Sequence, residues 1–117
     1  MLRYVCLLGY PDGVPVEEGE RWYLGTHTQE AKHIPGLRRY VSWRAAPRPP
    51  DVGDQRPSRW DRVTELAFDG WDGWRDGAVA RSPRYTPAPY GPRGFHSETV
   101  FIRGEPEYDL LAQTPRV

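Results

Sequence analysis

The residues from Tyr23 to Tyr40 include the side chains best suited to proton transfer. His27 closes the run Tyr23-Leu24-Gly25-Thr26-His27, seven residues separate it from Pro35-Gly36-Leu37, and two more precede Tyr40. An imidazole with an unperturbed pKa of about 6.5 can accept and release a proton near neutral pH. A tyrosine hydroxyl can donate a hydrogen bond to an oxygen that gains negative charge. His27 is therefore a candidate general base and acid, and Tyr40 its candidate partner. The alternatives are a core histidine with one hydrogen bond and a tyrosine that packs in a sheet.

A helix over about residues 15–33 would position His27. Pro15 suits the first turn of a helix, and the glutamates that follow it favour the positive end of the helix dipole. One stripe at helical spacing contains Val16, Tyr23, His27, Ala31 and Ile34. That stripe predicts that His27 faces a sheet rather than solvent. Pro35 ends the helix because it disfavours the helical conformation of the residue before it.

A strand over about residues 37–45 would carry Tyr40, and its side chains alternate between two faces. One face holds Leu37, Arg39, Val41 and Trp43, and the other holds Arg38, Tyr40, Ser42 and Arg44. Arg38 shares the face of Tyr40, so it is a candidate to bind a substrate carboxylate or enolate. A solvated or intersubunit arginine is the alternative.

Three further strands and one weak helix are predicted from the rest of the chain. The strands cover about residues 2–9, 60–68 and 95–103, and the helix covers about 71–80, where Trp71, Trp74 and Ala78 share a face. Proline-rich loops are expected at 47–58 and 81–94, followed at the end by a tail at 104–117. The order β-α-β-β-α-β predicts an α+β, ferredoxin-like fold with an antiparallel sheet and both helices on one face. Because the other face would be bare in a monomer, we expect a homodimer.

The composition excludes several classes of protein. The 117 residues fit a single domain, and 16 basic and 16 acidic residues are mixed along it, which argues against a nucleic-acid-binding surface. The single cysteine, Cys6, is expected to be a small core residue in a cytoplasmic protein. No run approaches the roughly 20 apolar residues of a membrane span, and the short apolar N-terminus lacks a signal-peptide cleavage site. No nucleotide or metal motif is present, so we expect neither a cofactor nor a metal.

Three segments resemble the EthD-like family of the dimeric α/β-barrel superfamily, which includes 4-methylmuconolactone methylisomerase. They are the opening strand, the spacing of His27 from Pro35-Gly36-Leu37 and Tyr40, and Val63-Thr64-Glu65-Leu66-Ala67-Phe68-Asp69 before the second helix. The resemblance covers about residues 1–80, with the strand at 95–103 in the expected place. It implies a dimeric α/β barrel built from two ferredoxin-like chains.

The resemblance also implies roles for individual residues. His27 matches the histidine assigned a proton-transfer role in the methylisomerase, Tyr40 matches an active-site tyrosine, and Glu65 falls on the acidic position of the strand motif. Thr28 and Gln29 depart from the proline and leucine that often follow the histidine. Residues 81–94 are richer in proline and aromatic residues than the family's usual continuation, so they could line the mouth of a pocket.

Other candidates come from the residues themselves. Glu65 would either bind an arginine or backbone group, or orient His27 or a substrate hydroxyl. His96 lies two positions from Glu98 on one strand and could contribute to the site. His33 is six positions from His27, on another helix face, and is expected to be exposed. The numerous aromatic residues, Tyr23 and Trp43 among them, could line a pocket for a ring-containing ligand or fill the core and a dimer interface.

Two functional hypotheses follow. The first is a cofactor-independent isomerase or lyase that uses His27 for proton transfer on a small oxygenated ring compound: a lactone, an aromatic catabolite or a polyketide intermediate. Tyr40 would be catalytic with His27, and Arg38, Glu65, Tyr23, Trp43 and His96 would bind the substrate. The alternative is a non-catalytic dimer that binds an aromatic or lactone ligand or assists an oxygenase. A haem-binding oxygenase is a further rival within the superfamily, although no histidine is clearly placed as an axial ligand.

Overall fold

A computed structural model describes residues 1–47, 49–53, 59–90 and 95–112. It contains four strands: β1 (Leu2–Gly9), β2 (Arg39–Arg44), β3 (Arg62–Phe68) and β4 (His96–Arg103). Two helical segments, α1 at 16–31 and α2 at 71–79, follow β1 and β3. The observed order is the βαββαβ order that the sequence predicts, with the elements ending within about two residues of the expected positions. Half of the predicted loop at 47–58 and most of the one at 81–94 can be described, because residues 48, 54–58 and 91–94 lie outside the described part of the chain.

The four strands form one antiparallel sheet in the order β2-β3-β1-β4. In the two central strands Cys6 lies opposite Thr64, and Thr64 in turn lies opposite Ser42 of β2. Since paired residues of antiparallel strands point to the same face, these three side chains lie together on one side of the sheet. The α+β, ferredoxin-like prediction is confirmed.

Helix α1 is not uniform. Two α-helical stretches, Val16–Trp22 and Thr28–Ala31, flank a π-helical turn at Tyr23–His27. A single π-turn inserts one extra residue and re-aims the side chains that follow it, and such turns are frequent at functional sites. The helix ends before a turn in which the Leu37 N–H donates to the Ile34 carbonyl, with Gly36 at a φ of +79° that only glycine adopts easily.

Both helices pack on the same face of the sheet. One cluster of buried side chains lies under the first half of α1, namely Leu8, Tyr10, Trp22 and Tyr23. A second cluster lies where the end of α1 meets β3 and α2, namely Ala31, Ile34, Leu66 and Phe68, with Trp74 and Ala78 of α2 packed against it. The predicted inward stripe of α1 is therefore observed, although Trp71 of α2 is 42% exposed and leans against Phe101.

The other face of the sheet is not covered by either helix. It carries apolar side chains from all four strands, with Trp43 and Ile102 exposed and Val100 60% exposed. Among them Glu65 forms ion pairs with Arg3, at 3.1 Å, and with Arg39, at 3.5 Å. We call this surface the open face. In the described residues, no helix is both long enough and apolar enough to cross a bilayer.

The packing of α2 depends on a glycine at a close approach of two backbones. A Cβ atom on Gly77 would overlap the Pro35 carbonyl oxygen, whereas one on Gly25 of α1 would meet no atom within 4 Å. We expect Gly77→Ala to lower the free energy of unfolding by about 1–3 kcal/mol, as overpacking does. Gly25→Ala, the matched control, should raise it by up to about 1 kcal/mol through helix propensity. Urea denaturation of both variants tests this, and equal stabilities would contradict the packing described.

Candidate active site between the helices and the sheet

A cavity of about 210 Å³ lies between α1 and the sheet. Its wall is mostly aromatic and aliphatic, and no charged side chain lines it among the described residues. The lining residues are Tyr4, Cys6, Leu8, Tyr23, His27, Ala31, Ile34, Tyr40, Thr64, Leu66, Tyr85, Phe95 and Ser97. His27 and Tyr40, the two residues predicted to be catalytic, both lie in this wall. A concave apolar cavity with a few polar groups is the usual form of a small-molecule site.

His27 lies in the cavity wall at the last position of the π-turn, between aromatic rings. Its ring stacks on Tyr85, with the ring centroids 4.8 Å apart, and on Tyr23, at 5.5 Å, and it meets the edge of Phe95 at 5.7 Å. The Nδ1 atom is buried and has no hydrogen-bond partner among the described residues. A buried polar atom without a partner is uncommon in proteins, and a catalytic role is one of its explanations.

Burial also decides the charge of His27. Removal from water lowers the pKa of the imidazole below its ordinary value, and the nearby carboxylate of Glu30 opposes this shift only in part. The ring is therefore neutral at neutral pH and holds a free lone pair. It can accept a proton, which is the first requirement of a general base.

A cluster of hydroxyl groups borders the cavity beside the sheet. The Tyr23 hydroxyl lies 2.8 Å from the Tyr40 hydroxyl and 2.7 Å from Thr64 Oγ1, and Thr64 Oγ1 lies 2.9 Å from Ser42 Oγ. Burial raises the pKa of Tyr40 far above its ordinary value, and the interaction with the neighbouring Tyr23 raises it further by a smaller amount. Tyr40 therefore keeps its proton and remains a hydrogen-bond donor at any physiological pH.

The hydroxyl cluster continues into a buried ion pair. Arg62 Nη1 donates to Ser42 Oγ at 3.1 Å, while its Nε and Nη2 atoms each donate to a carboxylate oxygen of Glu20 at 2.8 Å. Tyr10 donates its hydroxyl to the same carboxylate. Arg62 holds the pKa of the Glu20 carboxyl below its ordinary value, chiefly through these hydrogen bonds. Arg62 is thus linked to the cavity wall through intervening hydroxyls and through the ring of Tyr23, whose centroid lies 5.3 Å from the guanidinium carbon.

The segment after α2 closes the cavity over His27. Tyr85 of this segment stacks on the imidazole, and the next residue, Thr86, donates from its backbone N–H and its hydroxyl to the carboxylate of Glu30, both at 2.9 Å. Glu30 lies on α1, one turn after His27. Part of the segment that was expected at the pocket mouth therefore forms a wall of the cavity.

The structure separates the predicted substrate-binding residues into two groups. Tyr23 lines the cavity with His27 and Tyr40. Arg38 instead forms an exposed two-pronged ion pair with Asp69, at 3.1 and 2.9 Å. Glu65 and Trp43 lie on the open face, where Glu65 binds Arg3 and Arg39. Of the two roles considered for Glu65, arginine partner is therefore the one observed, and it cannot orient His27 from the opposite face of the sheet.

His96 also lies away from the cavity. His96 is the first residue of β4 and pairs with Gly9 of β1, on the open-face side of the sheet. Its Nε2 atom lies 2.8 Å from the Arg59 carbonyl oxygen. Its neighbours Phe95 and Ser97 line the cavity instead, because successive residues of a strand point to opposite faces. His96 therefore does not share the cavity wall with His27 and Tyr40, although it was predicted to bind the substrate with them.

Sequence reasoning missed three residues that shape the site: Thr64, Arg62 and Tyr85. The alternation of β3 contained a signal for the first two, because Arg62 and Thr64 occupy the same face as the core residues Leu66 and Phe68. A charged residue in such a series indicates a buried partner. Tyr85 lies in an irregular segment and had no periodic signal. No group of three or more histidine, cysteine, aspartate or glutamate side chains in the described ranges could hold a metal ion.

The lowered pKa of His27 predicts a pH dependence of stability. An unfolded chain binds the proton at about pH 6.5, whereas the folded chain binds it only at lower pH, so stability falls as the pH drops below about 6.5. His27→Phe keeps a ring in place but cannot titrate. We expect the free energy of unfolding of the wild type, measured by urea denaturation, to decline relative to that of His27→Phe between about pH 7 and pH 5. Parallel curves would contradict the burial of a neutral imidazole.

Comparisons with known proteins agree with this fold. No protein-family model matches the chain, and no curated protein matches it in sequence. Among solved structures, an EthD family protein from Bacillus halodurans is 17% identical with a TM-score of 0.56, covering 86% of this chain and 96% of that chain. A protein from Arabidopsis thaliana is 13% identical with a TM-score of 0.58, covering 91% and 97%. A dimeric ferredoxin-like protein of unknown function from Thermobifida fusca is 15% identical with a TM-score of 0.51, covering 86% and 88%. The chain therefore has the ferredoxin-like fold of an EthD family protein, the fold that its sequence resemblance implied.

Proposed function

We propose that this protein is a cofactor-independent isomerase or lyase that moves a proton on a small oxygenated ring compound. The observation that carries the proposal is a neutral His27 with an unpartnered buried nitrogen, in the same uncharged cavity as the protonated hydroxyl of Tyr40. One group can accept a proton and the other can donate a hydrogen bond. Both are required to form and stabilise an enolate.

The proposed reaction begins at the carbon next to a substrate carbonyl. His27 removes a proton from that carbon, the C–H electron pair moves to form an enolate, and Tyr40 donates a hydrogen bond to the enolate oxygen. The imidazolium then returns the proton to another atom of the substrate, which gives an isomer, or protonates a departing oxygen, which gives elimination. Protons and electrons balance without any further reactant. Desolvation disfavours the imidazolium, which favours return of the proton.

The cavity wall restricts the substrate. A volume of about 210 Å³ suits a compound with one ring, and the stacked rings of His27, Tyr85 and Tyr23 suit a flat one. Because no charged side chain lines the cavity in the described residues, a carboxylate on the substrate would lose its hydration without compensation. A neutral lactone or cyclic enone fits this wall better than a ring acid does.

Hydrogen–deuterium exchange tests the proton transfer without knowledge of the natural product. The protein is incubated in D₂O with neutral monocyclic lactones and enones, and loss of the proton signal next to the carbonyl is followed by NMR. We expect faster exchange in at least one compound. His27→Ala should reduce the exchange rate by about 10²–10⁴-fold and Tyr40→Phe by about 10²–10³-fold.

His33→Ala is the matched control, because His33 is exposed and lies on another face of the same region. It should exchange at the wild-type rate. Equal rates for His27→Ala and the wild type would end the assignment of His27. Ligand binding without any exchange, weakened only modestly by His27→Ala, would favour the non-catalytic binding protein instead.

We also propose that the protein is a homodimer joined through the open face. This face displays apolar side chains on the side of the sheet that neither helix covers. The Thermobifida fusca protein of similar fold is dimeric. Strand β4 is exposed along its length at the edge of the sheet, a position that proteins usually protect. A second copy would cover both.

Two exposed valines allow a matched test of the dimer. Val100 on the open face is 60% exposed, and Val79 on α2 is 58% exposed. Val100→Asp would bury a charge in the proposed interface, so we expect it to raise the dissociation constant by at least about tenfold. Val79→Asp should leave it unchanged. Sedimentation equilibrium measures both, and a monomeric wild type or equal effects of the two substitutions would contradict this interface.

A further inference from the structure

The hydrogen bonds from Arg62 to Tyr40 form one continuous chain. It runs from Arg62 Nη1 to Ser42 Oγ at 3.1 Å, to Thr64 Oγ1 at 2.9 Å, to the Tyr23 hydroxyl at 2.7 Å, and to the Tyr40 hydroxyl at 2.8 Å. A charged group, 8% exposed, thus stands at one end, and a residue of the cavity wall stands at the other.

The direction of this chain is set by its charged end. A guanidinium can only donate, so Ser42 accepts from Arg62 and its own hydrogen is free to donate to Thr64. Thr64 then donates to Tyr23, and Tyr23 donates to Tyr40. In the reverse direction the Ser42 hydrogen would have no acceptor among the described residues, because in its 3.4 Å contact with Tyr23 the tyrosine hydroxyl is the donor. That contact is also much longer than the 2.8 Å between the Tyr23 and Tyr40 hydroxyls, so the Tyr23 hydrogen is directed to Tyr40 and not to Ser42. In the outward direction every hydrogen before Tyr40 has an acceptor, and the Tyr40 hydrogen remains for the cavity.

Glu20 determines which guanidinium nitrogen enters the chain. Its two carboxylate oxygens accept from Nε and Nη2, which leaves Nη1 for Ser42. The planar fork of arginine makes this division geometrically specific. The carboxylate also balances the buried charge of Arg62, so the chain does not start from an isolated cation, and the exposed Arg44 approaches the same carboxylate at 3.8 Å.

We propose that Arg62 and Glu20 are a positioning pair that, through Ser42, Thr64 and Tyr23, turns the Tyr40 hydrogen into the cavity. Aligned hydrogen bonds in a low-dielectric interior polarise one another, so each donation strengthens the next. The cavity consequently favours ligands with an oxygen acceptor facing Tyr40, and the chain offsets part of the desolvation cost when that oxygen carries negative charge, as the oxygen of an enolate does. This inference deepens the proposed function, on which it rests for its catalytic meaning, but its test requires binding alone.

The probe is 4-nitrophenol, a single flat ring whose neutral and anionic forms differ in absorbance. Binding is titrated on both sides of the ionisation of the probe, and the preference is the ratio of the dissociation constants of the neutral and anionic forms. Ser42→Ala interrupts the chain and leaves the ion pair intact. The double change Arg62→Met with Glu20→Leu removes both charges together, so that no unpaired charge stays buried.

We expect Ser42→Ala and the double variant each to lower the preference for the anion by about three- to tenfold, which is the typical effect of losing one hydrogen bond. Tyr40→Phe should lower it by at least as much. Arg75→Met with Asp72→Leu is the matched control, because it removes an exposed arginine–carboxylate pair outside the chain, and it should leave the preference at the wild-type value. A merely structural role of Arg62 would lower stability without changing the preference.

The outcomes separate this inference from the proposed reaction. An unchanged preference in Ser42→Ala overturns the inference, even if the double variant fails to fold, and so does a wild type that does not bind the probe. If His27→Ala retains proton exchange while Ser42→Ala loses the preference, the proposed reaction fails and the positioning pair stands. If exchange depends on His27 and the preference does not depend on Ser42, the reaction stands and the pair is structural.

Discussion

The buried pair of Arg62 and Glu20 is the interaction on which the rest of the structure depends. Glu20 comes from α1 and Arg62 from β3; Tyr10, just after β1, and Ser42 of β2 are hydrogen-bonded to the same pair. One charged contact therefore joins the first helix to three parts of the sheet. Removing a single partner of such a pair typically costs about 3–5 kcal/mol, a large part of the stability of a small domain.

The exclusion of water from the candidate site determines the protonation states of its histidine and its tyrosine. The same aromatic rings that enclose His27 keep it neutral, and the burial that keeps Tyr40 protonated also strengthens any hydrogen bond it donates. One apolar wall therefore keeps the proposed base, His27, neutral and the proposed donor, Tyr40, protonated, without a charged neighbour among the described residues of the cavity wall. The open face is organised differently, since Glu65 there lies among apolar side chains and neutralises two arginines.

The fold, and the presence of His27 and Tyr40 in one candidate site, could be predicted from the sequence. The other residues of the site could not, for physical reasons. Helical spacing placed Tyr23 and His27 inward, and strand alternation placed Tyr40 on one face with Ser42, because both periodicities are local. That this face lies toward the helices is known from the structure and was not predicted. Arg38 and His96 lie outside the cavity for reasons that are not local in sequence: Arg38 has an exposed partner in Asp69, 31 positions away, and the pairing of β4 with β1 places His96 on the open-face side. The π-turn at Tyr23–His27 has no periodic signature, and the stacking of Tyr85 on His27 depends on how an irregular segment folds back over α1.

The two sides of the cavity differ in how firmly they are held, because the hydrogen bonds between Glu30 and Thr86 are exposed. The sheet side is fixed by ladder hydrogen bonds and a buried ion pair, whereas the Tyr85 side is attached to α1 by two exposed hydrogen bonds. Exposed hydrogen bonds open at small free-energy cost, so we expect the segment that bears Tyr85 to open more easily than the sheet side. In the proposed function a ligand would then enter and leave past Tyr85, and substitutions in this segment would change its residence time more than its affinity.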